Sequence, residues 1–293
     1  MLQRILSHST STVGVAVAVA LMAGPLSAQT VSLGEARDFC VLGLQDVKLS
    51  MSNPQTSVSG NVGLGPGGAQ NFSDGFIGGT YTFDLTANSH ANNVVVIGGT
   101  TTADLSTAVA DALAASEAAS SLPPTQAFGA VKDALSVVGN GGLNVIAIDS
   151  ITFSGGTDKL TLEGAPSDVF IVNVAGSVKL SHKLSRIQVG GGASESHVLF
   201  NLTASHEPLS VSGGATIAGT YLAPNGGIRL SPAVVVGGII GGGSETSLTS
   251  AAKVDCVPFD GGGGECVPQG GSCTASECCP GLVCRNDVCV SPG

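Results

Sequence analysis

The chain has 293 residues, 21 Asp+Glu against 11 Lys+Arg for a formal net charge of −10, 43 glycines and no tryptophan. With 43% hydrophobic and 11% charged residues it lacks the low hydrophobicity and high charge of a disordered chain. The acid excess argues against nucleic acid or an anionic membrane surface as partner, because both demand basic patches. In chain order, the first element is an export signal over residues 1–28. Arg4 supplies its basic start, Val13 to Met22 its apolar stretch, and Pro25-Leu26-Ser27-Ala28 a small-residue cleavage site. The apolar stretch is shorter than the roughly 20 residues that span a bilayer. The expectation is a secreted, extracellular chain starting near Gln29, with no membrane insertion of the mature protein.

Residues 29–257 read as one domain of short strands separated by glycine-rich corners, β-branched residues filling the strands. One stretch differs. From Thr102 to Ser121, Ala103, Leu105, Ala108, Val109 and Leu113 recur at spacings of three and four, and Pro123-Pro124 closes the pattern, which predicts a long helix. A second, shorter helix is expected around Ala127 to Val137. Internal repetition surrounds these segments. Leu209 to Tyr221 aligns with Ile228 to Ile240 at an offset of 19, placing Val235 opposite Thr216 and Ile239 opposite Thr220. Ile77-Gly78-Gly79-Thr80 recurs as Ile97-Gly98-Gly99-Thr100 at an offset of 20, and Val169 to Val174 is echoed by Val198 to Leu202. A strand-rich period of this length is one turn of a β-solenoid, whose coils bury their apolar faces only by stacking; a β-sandwich is the alternative.

Eight cysteines follow the signal, an even number that in an oxidising compartment argues for disulfides. Cys40 and Cys256 flank the large domain and are expected to bond to each other. Residues 258–265 form a Gly-rich linker, and residues 266–293 hold the other six cysteines in the spacing C-x6-C-x4-C-C-x4-C-x4-C. So short a segment cannot build a core and must be held by bridges. It contains no histidine, and no metal site is expected there. The six cysteines allow 15 pairings. The adjacent Cys278-Cys279 pair resembles the knottin family, a resemblance that implies Cys266–Cys279, Cys273–Cys284 and Cys278–Cys289.

The large domain resembles the ice-binding-like (DUF3494) family. The matching pieces are Val31-Ser32-Leu33-Gly34 with Phe39-Cys40-Val41-Leu42, Val58-Ser59-Gly60-Asn61-Val62-Gly63-Leu64, Gly98-Gly99-Thr100 leading into the helix, Asp168-Val169-Phe170-Ile171, His197-Val198-Leu199-Phe200 and Ile217-Ala218-Gly219. They occur in the family's order. Tyr81 to Val96 does not match, Cys40 stands where the family usually has Ala, and Tyr221-Leu222-Ala223-Pro224-Asn225 looks equally like the choice-of-anchor A surface domains. The resemblance implies a mainly β fold: an irregular β-solenoid with one long flanking α-helix, here followed by a small disulfide-rich C-terminal knot.

An ice binder needs a flat, stiff face with hydroxyls at regular spacing. Thr80, Thr82 and Thr100 are the candidates for such a face, with Thr216 and Thr220 as a further rank interrupted by Val235 and Ile239. Catalysis finds less support. Each histidine (His8, His90, His182, His197, His206) follows a serine, but neighbours on a strand point to opposite faces. The carboxylates Asp149, Asp158, Glu163 and Asp168 do not follow the coil period. The reading is therefore a non-enzymatic, monomeric, ice-binding-like secreted protein without cofactor. Its partner would be ice or, in the alternative reading as an adhesive or structural surface module, an extracellular surface or glycan.

Overall fold

The computed structural model describes residues 31–44, 48–88, 94–243, 245–261, 283–285 and 288–290. The expected signal peptide and most of the expected knot lie outside these residues. Within them, 19 strands join in one continuous sheet, wound as a solenoid of parallel ladders.

The coils do not stack in sequence order. Val41–Gly43 pairs with Val62–Leu64 on one side and with Gly226–Gly241 on the other. From Val62–Leu64 the ladder climbs through Tyr81–Asp84 to Thr100–Ala103, the upper tip. Helix α1 (Ser106–Ser121) then carries the chain back along one side to Gln126–Val131, the lower tip. From there the ladder returns through Leu143–Phe153, Val169–Val174, Val198–Leu202 and His206–Ala223 to Gly226–Gly241. Thr246–Leu248 and Lys253–Cys256 then pair with Lys48–Val58, so the last coil closes onto the first.

Two cores follow from strand alternation. Inward residues of all three faces fill the solenoid, with Phe72, Tyr81, Phe153, Phe170, Phe200 and Tyr221 as its largest members. Phe200 and Tyr221, in register on neighbouring coils, stack at a centroid separation of 4.7 Å. The second core lies between α1 and one sheet face. There Leu42, Val145, Ile171, Leu199, Leu222 and Ile240 meet a stripe of Ala108, Val109, Ala112, Ala115 and Ala119. Small side chains let the helix sit close. Polar docking completes the seam: Ser116 Oγ donates to Asn201 Oδ1 at 2.7 Å, Asn201 Nδ2 donates to Asn173 Oδ1 at 2.9 Å, and Asn173 Nδ2 donates to the Ala119 carbonyl at 2.7 Å.

Several expectations need correction. The helix starts at Ser106 rather than Thr102, because Thr100–Ala103 is held in the ladder against Tyr81–Asp84. The shorter helix expected at Ala127 to Val137 is two strands, Gln126–Val131 and Leu135–Val138, whose backbone pairs with the next coil; tertiary pairing overrides local propensity. Phe259, assigned by sequence to the linker, is 2% exposed in the helix-side core. Asp260 N donates to the Ser196 carbonyl at 2.9 Å, so the packed domain continues past residue 257.

Cys40 and Cys256 form a disulfide with a Cα–Cα separation of 5.3 Å. Gly60 lies against it, where a Cβ would collide with both sulfurs. In the C-terminal segment, Val283–Arg285 and Val288–Val290 pair antiparallel with Cys284 opposite Cys289. The other four cysteines of that segment fall outside the described residues.

Candidate functional site

The register fixes where the candidate threonines stand. Thr82 pairs with Gly63 and Thr101, and Thr100 pairs with Tyr81, so the period here is one residue shorter than the sequence alignment suggests. A slip of one residue reverses the facing of a side chain. Tyr81 is fully buried, which puts Thr100 in an inward column, exposed only because it ends the stack. Thr82 belongs to the outward column of Leu42 and Gly63, which faces the helix further down. Thr80 is half-buried at the corner, its N donating to Asn61 Oδ1 at 3.0 Å. Register thus puts Thr100 and Thr82 in different columns, with Thr80 at the corner before them.

The second threonine rank also changes. Leu209 faces Ile228 as the alignment predicts, but a register shift between Ser212 and Ala215 moves every later pair by one. Thr216 faces Val234 and Thr220 faces Gly238, whereas Val235 and Ile239 pair with the buried Ile217 and Tyr221. The shift sits at Gly213 and Gly214, whose positive φ values of 66° and 84° turn the corner, a backbone that glycine adopts without penalty. The valine and isoleucine that broke the threonine rank are thus core residues.

What the fold does assemble is a serine-rich face. Parallel pairing brings Thr152, Lys179, Ser210 and Arg229 into one outward row, which ends at the buried Ser247. The inward residues Phe153, Leu180, Val211, Leu230 and Leu248 follow, and one position further come Ser154, Ser181, Ser212, Ser231 and Thr249, all at least partly exposed. Backbone register carries the first row on through position 50 to the exposed Asn71. Hydroxyls thus recur at the ladder spacing of about 4.8 Å. The signal was legible as polar–apolar–serine strings such as Lys179-Leu180-Ser181 and Leu209-Ser210-Val211-Ser212, which a search for threonine passes over. Lys179 and Arg229 interrupt the row; Arg229 Nε lies 3.2 Å from Glu207 Oε1 at an exposed pair.

The carboxylates serve corners. Asp168, 1% exposed, accepts from Gly141 N at 2.7 Å, Gly142 N at 2.9 Å, Asn144 Nδ2 at 2.8 Å and Ala165 N at 2.7 Å. Burial pushes its pKa up, but the bonds from Asn144, Ala165, Gly141 and Gly142 outweigh it and leave the carboxyl below 3.8. Asp84 behaves alike: burial opposes the charge, the bonds from Leu105 N and from the Thr86 N and Oγ1 outweigh it, and its pKa is lowered. Asp158 accepts from Ser154 N and Gly155 N, while Asp149 and Glu163 are exposed. Asp84, Asp158 and Asp168 thus hold backbone donors at separate corners.

A cleft of about 570 Å³ beside the disulfide is lined by Arg37, Asp38, Asn61, Pro258, Phe259 and Asp260. Along its rim, His197 Nε2 lies 3.4 Å from Asp260 Oδ1. No helix among the described residues is long and apolar enough to cross a membrane.

Solved structures of the same architecture exist. An ice-binding protein from an Antarctic biological consortium superposes with a TM-score of 0.59 at 15% identity, covering 85% of this chain and 97% of its own. An ice-binding protein from an Arctic yeast gives 0.58 at 21% identity, covering 79% and 95%. One from the Antarctic ascomycete Antarctomyces psychrotrophicus gives 0.55 at 20% identity, covering 78% and 98%. These identities establish the fold. No protein of curated function matches the sequence. Residues 23–250 match the family described as "Putative Ice-binding-like adhesive domain"; with the split, helix-flanked solenoid that spans this stretch, the chain belongs to that ice-binding-like adhesive domain family.

Proposed function

We propose that this protein is a secreted, non-enzymatic adhesion module that keeps the scaffold of an ice binder and uses its serine-rich face to hold a hydroxylated extracellular surface. The observation that carries the choice is the pair Lys179 and Arg229 in the outward serine row. An ice plane is met flush, by groups of equal height that order water between them. An ammonium and a guanidinium on long stems stand above serine hydroxyls and hold their own hydration. A hydroxylated polymer instead tolerates and uses such projections, since each can hydrogen-bond a sugar oxygen. The rigid ladder beneath keeps the ordering cost of binding low. A six-cysteine knot paired as Cys266–Cys279, Cys273–Cys284 and Cys278–Cys289 belongs to the same proposal, as a protease-resistant cap.

The ice-binding reading is favoured by the fold of the three solved proteins and by the flush serines of the second row. One experiment separates the two. The mature chain is assayed for ice recrystallisation inhibition and for sedimentation with insoluble polysaccharide particles, beside a Ser212→Tyr/Ser231→Tyr variant. The expected result is no effect on ice and a retention on particles that the variant loses. Recrystallisation inhibition by the unmutated chain, abolished in the variant, establishes ice binding instead. Retention unchanged by the two tyrosines removes the serine face from either role.

A further inference from the structure

We infer that one corner of the solenoid is a docking edge for an anionic, uronate-bearing polysaccharide, which names the ligand class within the adhesive reading and rests on it. The observation is a concentration of cations that the composition does not lead one to expect. The whole chain holds only 11 Lys+Arg against 21 Asp+Glu, yet Lys159, Lys179, Lys183 and Arg186 gather on two neighbouring coils, all exposed. Lys159 and Arg186 are direct register partners at the start of their strands. Lys183 stands in the turn leading to Arg186, and Lys179 lies on the serine-rich strand just before that turn. Asp158 is the only carboxylate beside them in sequence, and its Oδ2 is turned to Ser154 N and Gly155 N. On the coil to one side the nearest neighbours are Ser210, Gly214 and Thr216, all neutral; on the other, Lys159 stands opposite Ala134, one residue from the exposed Asp133.

Like charges placed directly opposite on a ladder are destabilising. None of the four cations lies in an ion pair among the described residues. A fold with few cations to place has put two in register, with Asp133 and Asp158 near only the Lys159 end, an arrangement relieved when an anion arrives. His182 adds to the edge: its Nδ1 accepts from Leu184 N at 3.2 Å, which leaves Nε2 as the other polar atom of the ring. Leu184, 49% exposed, offers an apolar contact at the apex of the same turn.

The geometry selects among polyanions. Lys159 and Arg186 are separated by one coil, about 4.8 Å, close to the advance of one sugar ring along an extended polysaccharide. A uronate chain laid along the solenoid axis would therefore bring its carboxylates within reach of both cations. Its hydroxyls would lie along Ser154, Ser181 and Ser212, the serine row that borders this corner. A duplex nucleic acid needs a broader basic surface, and an anionic membrane needs several cations in one plane; the acidic remainder of this surface opposes both.

The test measures binding of the full mature chain to soluble polygalacturonate at low ionic strength, with dextran, duplex DNA and phosphatidylglycerol vesicles as comparison probes. Variants are Lys159→Ser/Arg186→Ser and, as a control that removes equal charge away from this column, Arg37→Ser/Arg285→Ser. Polygalacturonate should bind in preference to all three other probes and weaken with added salt. The corner variant should lose about tenfold in affinity and the control much less. Equal loss in both variants would reduce the effect to net charge and overturn the proposal. Tighter binding of DNA or vesicles than of polygalacturonate would overturn it too. Binding to dextran and polygalacturonate alike, indifferent to the corner variant but lost in Ser212→Tyr/Ser231→Tyr, would sink the docking edge while leaving the adhesive serine face standing.

Discussion

Asp168 shows how single residues shape this surface. Its carboxylate gathers four donors from two chain segments, and a Cβ at Gly139 or Gly164 would collide with it. Replacing it by alanine leaves buried N–H groups without partners, each costing about 1–3 kcal/mol. The gentler Asp168→Asn retains the shape and removes the charge. Because the folded carboxyl titrates below its ordinary value, its contribution is fully present above the unfolded pKa of about 3.9 and is lost as pH falls through the lower folded value. Asp168→Asn should therefore melt at a lower temperature than the parent at pH 7, and the gap should close in strong acid; thermal melts from neutral pH down to pH 2 check this. A gap that is constant with pH means the charge is not what holds the corner. Sequence reading placed Asp168 among possible catalytic carboxylates because spacing reveals a residue's neighbours in the chain but not the backbone donors folded around it.

At the scale of elements, α1 is bound to its sheet by small residues and by a short polar ladder. The buried Asn201 joins Ser116, Ser120 and Asn173 in one network. Asn201→Ala strips partners from both helix and sheet and should cost about 2–3 kcal/mol. Hydrogen exchange should speed up first in residues 113–121, before the neighbouring strands; exchange that rises uniformly over the domain would show that the seam does not open locally. Much of this level could be read in advance. The helix announced itself by its spacing and the strands by their repetition, and the Asn173 and Asn201 echo was visible in the repeat at Val169 and Val198. Register was not. A shift at Gly213 and Gly214 leaves no trace in composition, and it moved Thr216 from Val235 to Val234. The strand at Gln126–Val131 reads as helix because its partner, Leu143–Phe153, lies a full coil away in sequence.

At the scale of the molecule, the first coil stacks on the last, and no local signal announces such a closure. The cysteines alone gave it away. Their bond spans 216 residues, which in the chain-entropy model stabilises by about 5 kcal/mol. A Cys40→Ser/Cys256→Ser variant should therefore melt well below the parent, with the parallel pairs Val41–Ile239 and Val254–Val58 exchanging early. Equal melting temperatures would mean that the ladder closes without help. The same closure has a mechanical meaning. Gly261 leaves the domain close to the Val31 carbonyl, where a Cβ on Gly261 would lie 2.9 Å from that oxygen. Tension applied between the start of the mature chain and the C-terminal segment is therefore taken up between Cys40 and Cys256, across a covalent link, and bypasses the coils. Both solenoid tips stay slack under load, and the rod is held at its waist, broadside to whatever it grips.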